Sequence, residues 1–544
     1  MNETKWSAEP SLENFGTFDY IVFVFMLLAC AGIGLFYALR GKKSGDAETE
    51  LLMGGRNMKV FPIGMSLVAS FISGITLLGN PTEAYLHGTA YFFIIITLLL
   101  ISLPAVHIFL PVFHDMQLAS TYEYLERRFD RRLRYFGSVL FTIGMVCWLP
   151  IVIYVPALAF NQVTGMNIHV ITPCVCIVCI FYTAVGGLKA VVWTDVIQSI
   201  IMVGATILVV VKGSIDSGGF HVVWKRAWDS GRIELPRAFW TFIAGTGFII
   251  VLCGYSGLVV YSMYHDCDPL TTKRAKAKDQ LLPLLVTKVL GDFPGMPGLF
   301  VAGIFSAALS SLSTGLNSMS AIVLEDFVKP SINKKMSNRT VELIIKAVVL
   351  IFGAVCVALV FVVERLGTVL QLSMSLGALT GGPLFGIFCM GILFPWANAT
   401  GALYGGIIGI MCSGVVVFGG QRAMASGNLV YPGKPLSIDG CDYAHNATLV
   451  NLVVAAEAGD VFPLYKMSYL WYPIFGSLIT FTSGVIISYF TGFTDLSQLN
   501  EMLITPPLRK FLSMKRFSGV KTDIPEAVKM LDTEATEVKS LDKT

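Results

Sequence analysis

Twelve apolar stretches of about 20 residues, separated by short polar loops, leave this chain few folds to choose from. They lie near 19–40, 60–80, 90–113, 135–160, 169–185, 191–211, 239–263, 298–324, 340–364, 367–394, 398–419 and 468–492. A helix of that length crosses the hydrocarbon core of a bilayer, and inside the bilayer every backbone polar group needs an internal partner. Only 14% of the residues are charged, against about 25% in a soluble domain. The predicted class is an all-α polytopic membrane protein with the lipid bilayer around it. The first stretch, Asp19 to Arg40, follows an acidic segment and is too long for a signal-peptide core, so it reads as a retained helix.

Positive charge orients the early loops. Residues 1–18 are acidic and are expected outside. Loop 41–59 carries Lys42, Lys43, Arg56 and Lys59, and loop 114–134 carries Arg127, Arg128, Arg131, Arg132 and Arg134; both are expected inside. Loops 81–89 and 161–168 have no Lys or Arg and are expected outside, and Lys189 marks the next inside turn. The alternation then fails. If 239–263 crosses once, loop 264–297 lands inside. Lys329 to Arg339 and Arg509 to Arg516 would then lie outside, against their charge. The sequon Asn446-Ala-Thr448 would lie inside, where no glycan is added. One crossing more, or one fewer, near 239–263 repairs all three. In the repaired layout 239–263 is bent or re-entrant, 420–467 is an extracellular loop with Asn446 as its glycosylation site, and 493–544 is a cytoplasmic tail.

Several chemistries are excluded. There is no GxxxxGK[ST] loop for ATP, no HExxH, no GxSxG, and no pair of the seven histidines at metal spacing. No enzyme cofactor is implied. No basic stripe interleaved with aromatics offers itself to nucleic acid. Of 11 cysteines nine lie inside apolar stretches, and Cys174, Cys176 and Cys179 read as packing. Only Cys267 and Cys441 lie in loops, where they could form an extracellular disulfide.

The stretch Gly298 to Phe327 is long enough to span, yet it carries six serines, Thr314 and Asn317. Ala307, Ser310, Ser311 and Thr314 fall at helical spacing and share a face. Such hydroxyls commonly bond back to their own helix or pack against a neighbour. They gain another meaning if a second helix supplies oxygens, because oxygen ligands suit a small hard cation such as sodium. Met65 to Tyr85 is the candidate: Ser66, Ser70, Ser73, Gly74, Thr76, Gly79, Asn80 and Pro81 interrupt it. Two interrupted segments far apart in sequence point to a midplane binding site of a transporter. Asp195 is an acid inside an apolar stretch, either lining a cavity or capping the start of its helix. Gln371, Ser373, Ser375 and Thr380 form another polar face, which reads as helix–helix glue or as a ligand path.

The run YTAVGGLKAVVWTDVIQ (Tyr182–Gln198) resembles the first signature of the sodium/solute symporter family, and FPWANATGALYGG (Phe394–Gly406) resembles the second. FSAALSSLSTGLNSMSAIVLEDF is similar to the family's ninth helix. YHDCDPL, GDFPGMPGLFVAGIFS and GGPLFGIFCMGILFPWAN look like the multivitamin and monocarboxylate branch in its arthropod forms. The resemblance covers most of 20–500. It implies an inverted five-helix repeat with broken helices, normally of 13 membrane segments. It implies a sodium site made by the carbonyls of Ala69, Ile72 and Ala307 and the hydroxyls of Ser310 and Ser311. It implies for Asp195 a second ion site or the ion's exit path. Ser73, Thr76, Gln371 and Ser375 are the candidates for the substrate path. Relative to the family, parts of the seventh and eighth helices are missing at a seam between Phe248 and Ile249. The expected activity is sodium-coupled symport of small organic anions, monocarboxylates or vitamins such as biotin and pantothenate, at the plasma membrane. The alternatives are a truncated, transport-impaired form of such a symporter and, in third place, a channel.

Overall fold

The computed structural model describes residues 15–40, 51–88 apart from 53 and 55–57, 102–230 apart from 117 and 119, 246–332 apart from 276, 336–363, 369–441 apart from 427, 430–433 and 435, and 461–511 apart from 496–498. Among these residues every regular element is helical. The main helices are α1 (Thr17–Arg40), α2 (Val60–Phe71), α3 (Gly74–His87), α4 (Leu110–Met116), α5 (Glu123–Arg128), α6 (Arg131–Thr164), α7 (Ile168–Asp216) and α8 (Phe220–Asp229). They continue as α9 (Thr246–Tyr264), α10 (Leu281–Leu290), α11 (Met296–Ile322), α12 (Asn338–Val363), α13 (Val369–Leu393), α14 (Ala399–Ala425), α15 (Tyr472–Thr491) and α16 (Pro506–Phe511).

Among the described residues eight helices are long and apolar enough to cross a membrane, or nine if the bent pair α2–α3 is one span. The twelve stretches read from the sequence exceed that number for physical reasons. α7 has 49 residues, about 73 Å at 1.5 Å per residue, more than twice the hydrocarbon thickness. It is therefore two crossings, and they join at Gly187, whose backbone (φ +59, ψ −164) is not helical. A side chain there would press on the backbone of Leu51, so glycine is needed twice over. The stretch 90–113 is described only from 102 onward, and α9 is short.

α11 is the axis of the bundle. Every residue from Phe300 to Ser313 is buried. α1, α2, α3, α6, α7 and α12 all pack on it. Small residues let them approach: Gly303 faces Ala205 and Met202, and Gly298 sits against the backbone of Asp19. α13, α14 and α15 form a second group beside it. There Gly401, Gly405 and Gly409 meet Gly484, Thr480 and Ser488 at close range.

Contacts between remote segments define the two faces. On one, the amide of Gly298 donates to Asp19 Oδ1 (2.9 Å), joining the starts of α1 and α11. On the same side Arg226, just past α7, donates to the carbonyl of Ser262 near the end of α9 (2.9 Å). Cys267 and Cys441 are disulfide-bonded, with Cα atoms 5.1 Å apart. Tyr85 at the end of α3 donates to Asp268 Oδ1 (2.8 Å), and Lys434 N donates to Leu86 O (2.8 Å). On the opposite face Arg134 pairs with Asp326 (2.6 Å) and Glu126 (2.7 Å), and Arg131 reaches Pro330 O (2.9 Å). Arg128 donates to the carbonyls of Gly391 in the last turn of α13 and of Phe394, Pro395 and Ala397 just beyond it.

Two expectations change. The ends of α7 and α9 lie on one face, so α9 does not invert the helices after it, and loop 264–297 is not on the arginine-rich side. The described part of 239–263 is neither bent nor re-entrant: α9 is one unbroken helix of 19 residues, about 28 Å long. A straight helix satisfies its own backbone, which a hairpin of that length does not. Residues 231–245 lie outside the described residues. Finally, 81–89 is not a loop, because α3 runs to His87. Leu499, Leu503 and Ile504 are buried against Val112, Tyr124 and Ile387, and Tyr124 donates to Leu503 O (3.0 Å). Asn446 and everything beyond 511 lie outside the described residues.

Candidate functional site

The stretch read from the sequence as one span, 60–80, is two helices that meet at 51°. α2 ends at Phe71, Ile72 is extended (φ −91, ψ 104), and Ser73 is extended again (φ −98, ψ 172) before α3 begins. The break removes the i+4 donors that a continuous helix would offer the carbonyls of Ala69 through Ile72. Thr76 N, which would serve Ile72, bonds the carbonyl of Ser73 (3.0 Å), as does Leu77 N (3.2 Å). Bare carbonyls at membrane depth persist only where they line a site or are sheltered by protein.

α11 passes beside the break with its hydroxyl face. Ser311 Oγ donates to Ser70 O (3.2 Å), and Ser70 Oγ and Thr314 Oγ1 share a hydrogen bond (2.9 Å). Ile304 and Ala308 lie in contact range of Gly74, the first residue of α3. Ala69, Ile72, Ala307, Ser310 and Ser311 are all at most 2% exposed. The structure thus lays the hydroxyl face of α11 against the α2–α3 break, where Ser311 and Thr314 bond Ser70, and each of the five expected ligand residues is buried.

Asp195 joins them from α7. It lies eight residues past the Gly187 turn and is 0% exposed, so it is neither a helix-start acid in water nor open to an aqueous cavity in this conformation. Ser66 Oγ on α2 donates to Asp195 Oδ2 (2.5 Å), and Ser199 Oγ donates to the Asp195 carbonyl (2.8 Å). Its other oxygen, Oδ1, has no hydrogen-bond partner among the described residues. The Ser310 hydroxyl is buried beside the same carboxylate. A buried acid oxygen beside a buried hydroxyl is an arrangement that a visiting cation would stabilise. Among the described residues no three His, Cys, Asp or Glu side chains gather as a metal site. The donor set is therefore one acid, hydroxyls and carbonyls, which suits a hard monovalent ion better than a transition metal.

The helix ends add direction. The carbonyl end of α2 carries partial negative charge and the amide end of α3 partial positive charge, and both point into the break. Ser73 stands at the N-cap of α3 without a side-chain cap bond, which leaves amides there for an anionic group. Ser73 is buried and Thr76 half-buried on this arm. Ser375 is elsewhere: it accepts a hydrogen bond from Gln421 of α14 (3.2 Å), the role of helix–helix glue. The side chain of Gln371 lies outside the described residues. Ser66 was missed as a site residue. Its signal was present, one helical turn before Ala69, but only the fold shows that it meets Asp195, 129 residues later. Asn80 was passed over too; it is 2% exposed and its Oδ1 is unpaired among the described residues.

The description "Sodium:solute symporter family" fits residues 51–230 and 238–409. Human sodium-coupled monocarboxylate transporter 1 is 36% identical, with 88% of each chain covered. A Drosophila melanogaster relative whose name assigns it to sodium-dependent multivitamin transport is 32% identical, over 92% of this chain and 93% of its own. The human match runs over 551 aligned positions but takes in 88% of these 544 residues, about 480, so roughly 70 positions have no counterpart here. A solved sodium-coupled sialic acid symporter, substrate-bound and outward-open, superposes with a TM-score of 0.69 at 22% identity, over 89% of this chain and all of that one. That likeness shows the inverted-repeat transporter fold. With the family pattern matched along most of its length and relatives above 30% identity, the chain belongs to the sodium:solute symporter family.

Proposed function

We propose that this chain carries small organic anions, monocarboxylates or vitamins of the biotin and pantothenate kind, across the plasma membrane together with sodium. Family membership makes it a sodium-coupled transporter and not an enzyme, with sodium as the co-transported ion. The observation that carries the finer reading is the α2–α3 break against the hydroxyl face of α11. One sodium ion rests on the carbonyls of Ala69, Ile72 and Ala307 and the hydroxyls of Ser310 and Ser311. Asp195 Oδ1 takes a second cation or passes the first one on, because a positive partner stabilises a buried carboxylate. The anionic solute lies on the other side of the break, over the amide end of α3 and near Ser73 and Thr76. The relatives named for monocarboxylates and multivitamins support an organic anion.

The face carrying Arg127, Arg128, Arg131, Arg134, Lys329 and Arg509 is the cytosolic one by its charge. The N-terminus, the Cys267–Cys441 loops and the Asn446 sequon are then extracellular, and the C-terminus is cytoplasmic. A glycan on Asn446 supports this orientation; a glycan on Asn338 in its place refutes it.

The test is uptake into vesicles holding the purified protein. Labelled lactate, pantothenate and biotin are offered with an inward sodium gradient or with potassium in its place, and iodide serves as an inorganic anion. Sodium-dependent uptake of at least one organic anion is expected; uptake that ignores sodium refutes the coupling, and uptake of iodide alone refutes the organic class. One further reading has an observation behind it. The family match skips 231–237, and roughly 70 positions of the human relative are absent, so a transport-impaired form with an intact sodium site is the second reading. Sodium-dependent heat stabilisation without any uptake is its signature.

A further inference from the structure

α8 occupies a stretch, 212–238, that the sequence presents only as a loop. α7 is closed and turned aside by two glycines with left-handed backbones, Gly218 (φ +100) and Gly219 (φ +106). Gly219 N bonds Ser214 O (2.7 Å) and Gly218 N bonds Ile215 O (3.0 Å). α8 starts at the next residue.

At about 100° per residue the ten residues of α8 fall into separate arcs. Val223 and Ala227 are fully buried against the protein. The next arc holds Phe220, Trp224 and Trp228, four residues apart, exposed by 53%, 46% and 54%. Beyond them His221, Lys225 and Asp229 form an exposed polar arc. Half-buried Val222 and Arg226 close the circle, and Arg226 donates to Ser262 O (2.9 Å). So the aromatic strip lies between a protein-facing strip and a water-facing strip. A helix lying on its side at a membrane surface has that order.

Its depth is set by its neighbours. α8 begins four residues after the end of α7, and Ser262 is two residues from the end of α9. The exposed apolar row on α7, Ile200, Ile207, Val211 and Ile215, is its lipid-facing surface and leads directly to Phe220. Trp is the residue favoured at the headgroup level, where an apolar ring and a polar N–H are both accommodated. Continuity with the lipid-facing row of α7, and the polar arc alongside, favour lipid over a second protein.

We propose that α8 is an interfacial anchor: Phe220, Trp224 and Trp228 sit in the headgroup–acyl boundary of the leaflet on the disulfide-bearing face, with His221, Lys225 and Asp229 in water. The partner is the phospholipid leaflet itself. Through Arg226 the anchor holds α9, and Gly257 of α9 lies against Pro81 and Ala84 of α3. The outer arm of the broken helix is thus braced from the lipid surface.

The test uses the full-length protein in phosphatidylcholine vesicles and the double variant Trp224→Phe/Trp228→Phe, which keeps aromatic rings on the strip. Subtracting the variant's emission isolates two of the eight tryptophans. The measurement is quenching of this difference emission by lipids brominated near the ester end of the chain, by lipids brominated near its tail, and by iodide in the water. For rings about 5–10 Å into the boundary, the ester-end bromines quench about twofold more than the tail bromines, and iodide quenches little. Quenching by iodide and not by bromines overturns the proposal, because the strip then stands in water. Quenching by none of the three also overturns it, because protein then covers the strip. Unchanged quenching of the remaining tryptophans in the variant shows that its fold is intact.

Discussion

Replacing Ser311 by Ala removes one hydroxyl from the place where α11 meets the broken helix, and the structure sets the size of the effect. Ser311 is 2% exposed, and alanine is a good helix former, so neither cavity nor helix propensity dominates. In the ion-bound state the hydroxyl is one of about five oxygen ligands, and a polar contact to a charge contributes about 1.5–3 kcal/mol. In the ion-free state the same hydroxyl donates to Ser70 O at 3.2 Å, a long neutral bond of about 0.5–1 kcal/mol. Both are lost, so the net loss of sodium binding is about 1–2 kcal/mol, roughly 5- to 30-fold in affinity. The assay is the sodium concentration giving half-maximal heat stabilisation of the purified protein, which needs no knowledge of the substrate. Uptake against sodium concentration, normalised to protein in the vesicles, is the second readout. A half-saturating sodium concentration within about twofold of the unmodified protein refutes the assignment of Ser311.

Asp195→Asn keeps an acceptor for the Ser66 hydroxyl and removes the charge, so normal abundance at the cell surface with altered sodium cooperativity is expected; unchanged cooperativity refutes an ion role. Ser66→Ala frees Asp195 Oδ2 and is expected to weaken sodium dependence several-fold, with Ser66→Thr restoring it; equal defects in both variants mean that Ser66 only packs. A side chain at Gly257 would strike the carbonyl of Pro81, so Gly257→Ala is expected to separate α9 from α3 and cost about 1–3 kcal/mol; wild-type thermal stability refutes that contact. Nine of the eleven cysteines are free, so alkylation under denaturing, non-reducing conditions is expected to modify nine thiols and the reduced chain eleven; eleven in both cases refutes the Cys267–Cys441 bridge.

The sequence by itself determined the class and the two segments of the candidate site. Those are local properties: a run of apolar residues as long as the bilayer is thick, hydroxyls at helical spacing from Ala307 to Thr314, and helix-breaking residues from Ser70 to Pro81. The uneven charge also showed that a simple reading of 239–263 was wrong. It did not show what replaced that reading, because the face on which a helix ends is set by partners such as Arg226 and Ser262, or Arg134 and Asp326. α8 escaped notice because ten residues, four of them polar, give no long apolar run; its three arcs appear only once burial is known. Asp195 stood between two roles until the fold sealed it against Ser66 and Ser310. Whether an acid meets water or a buried hydroxyl depends on which helices pack around it. That packing joins residues more than a hundred positions apart, and no local pattern along the chain encodes it.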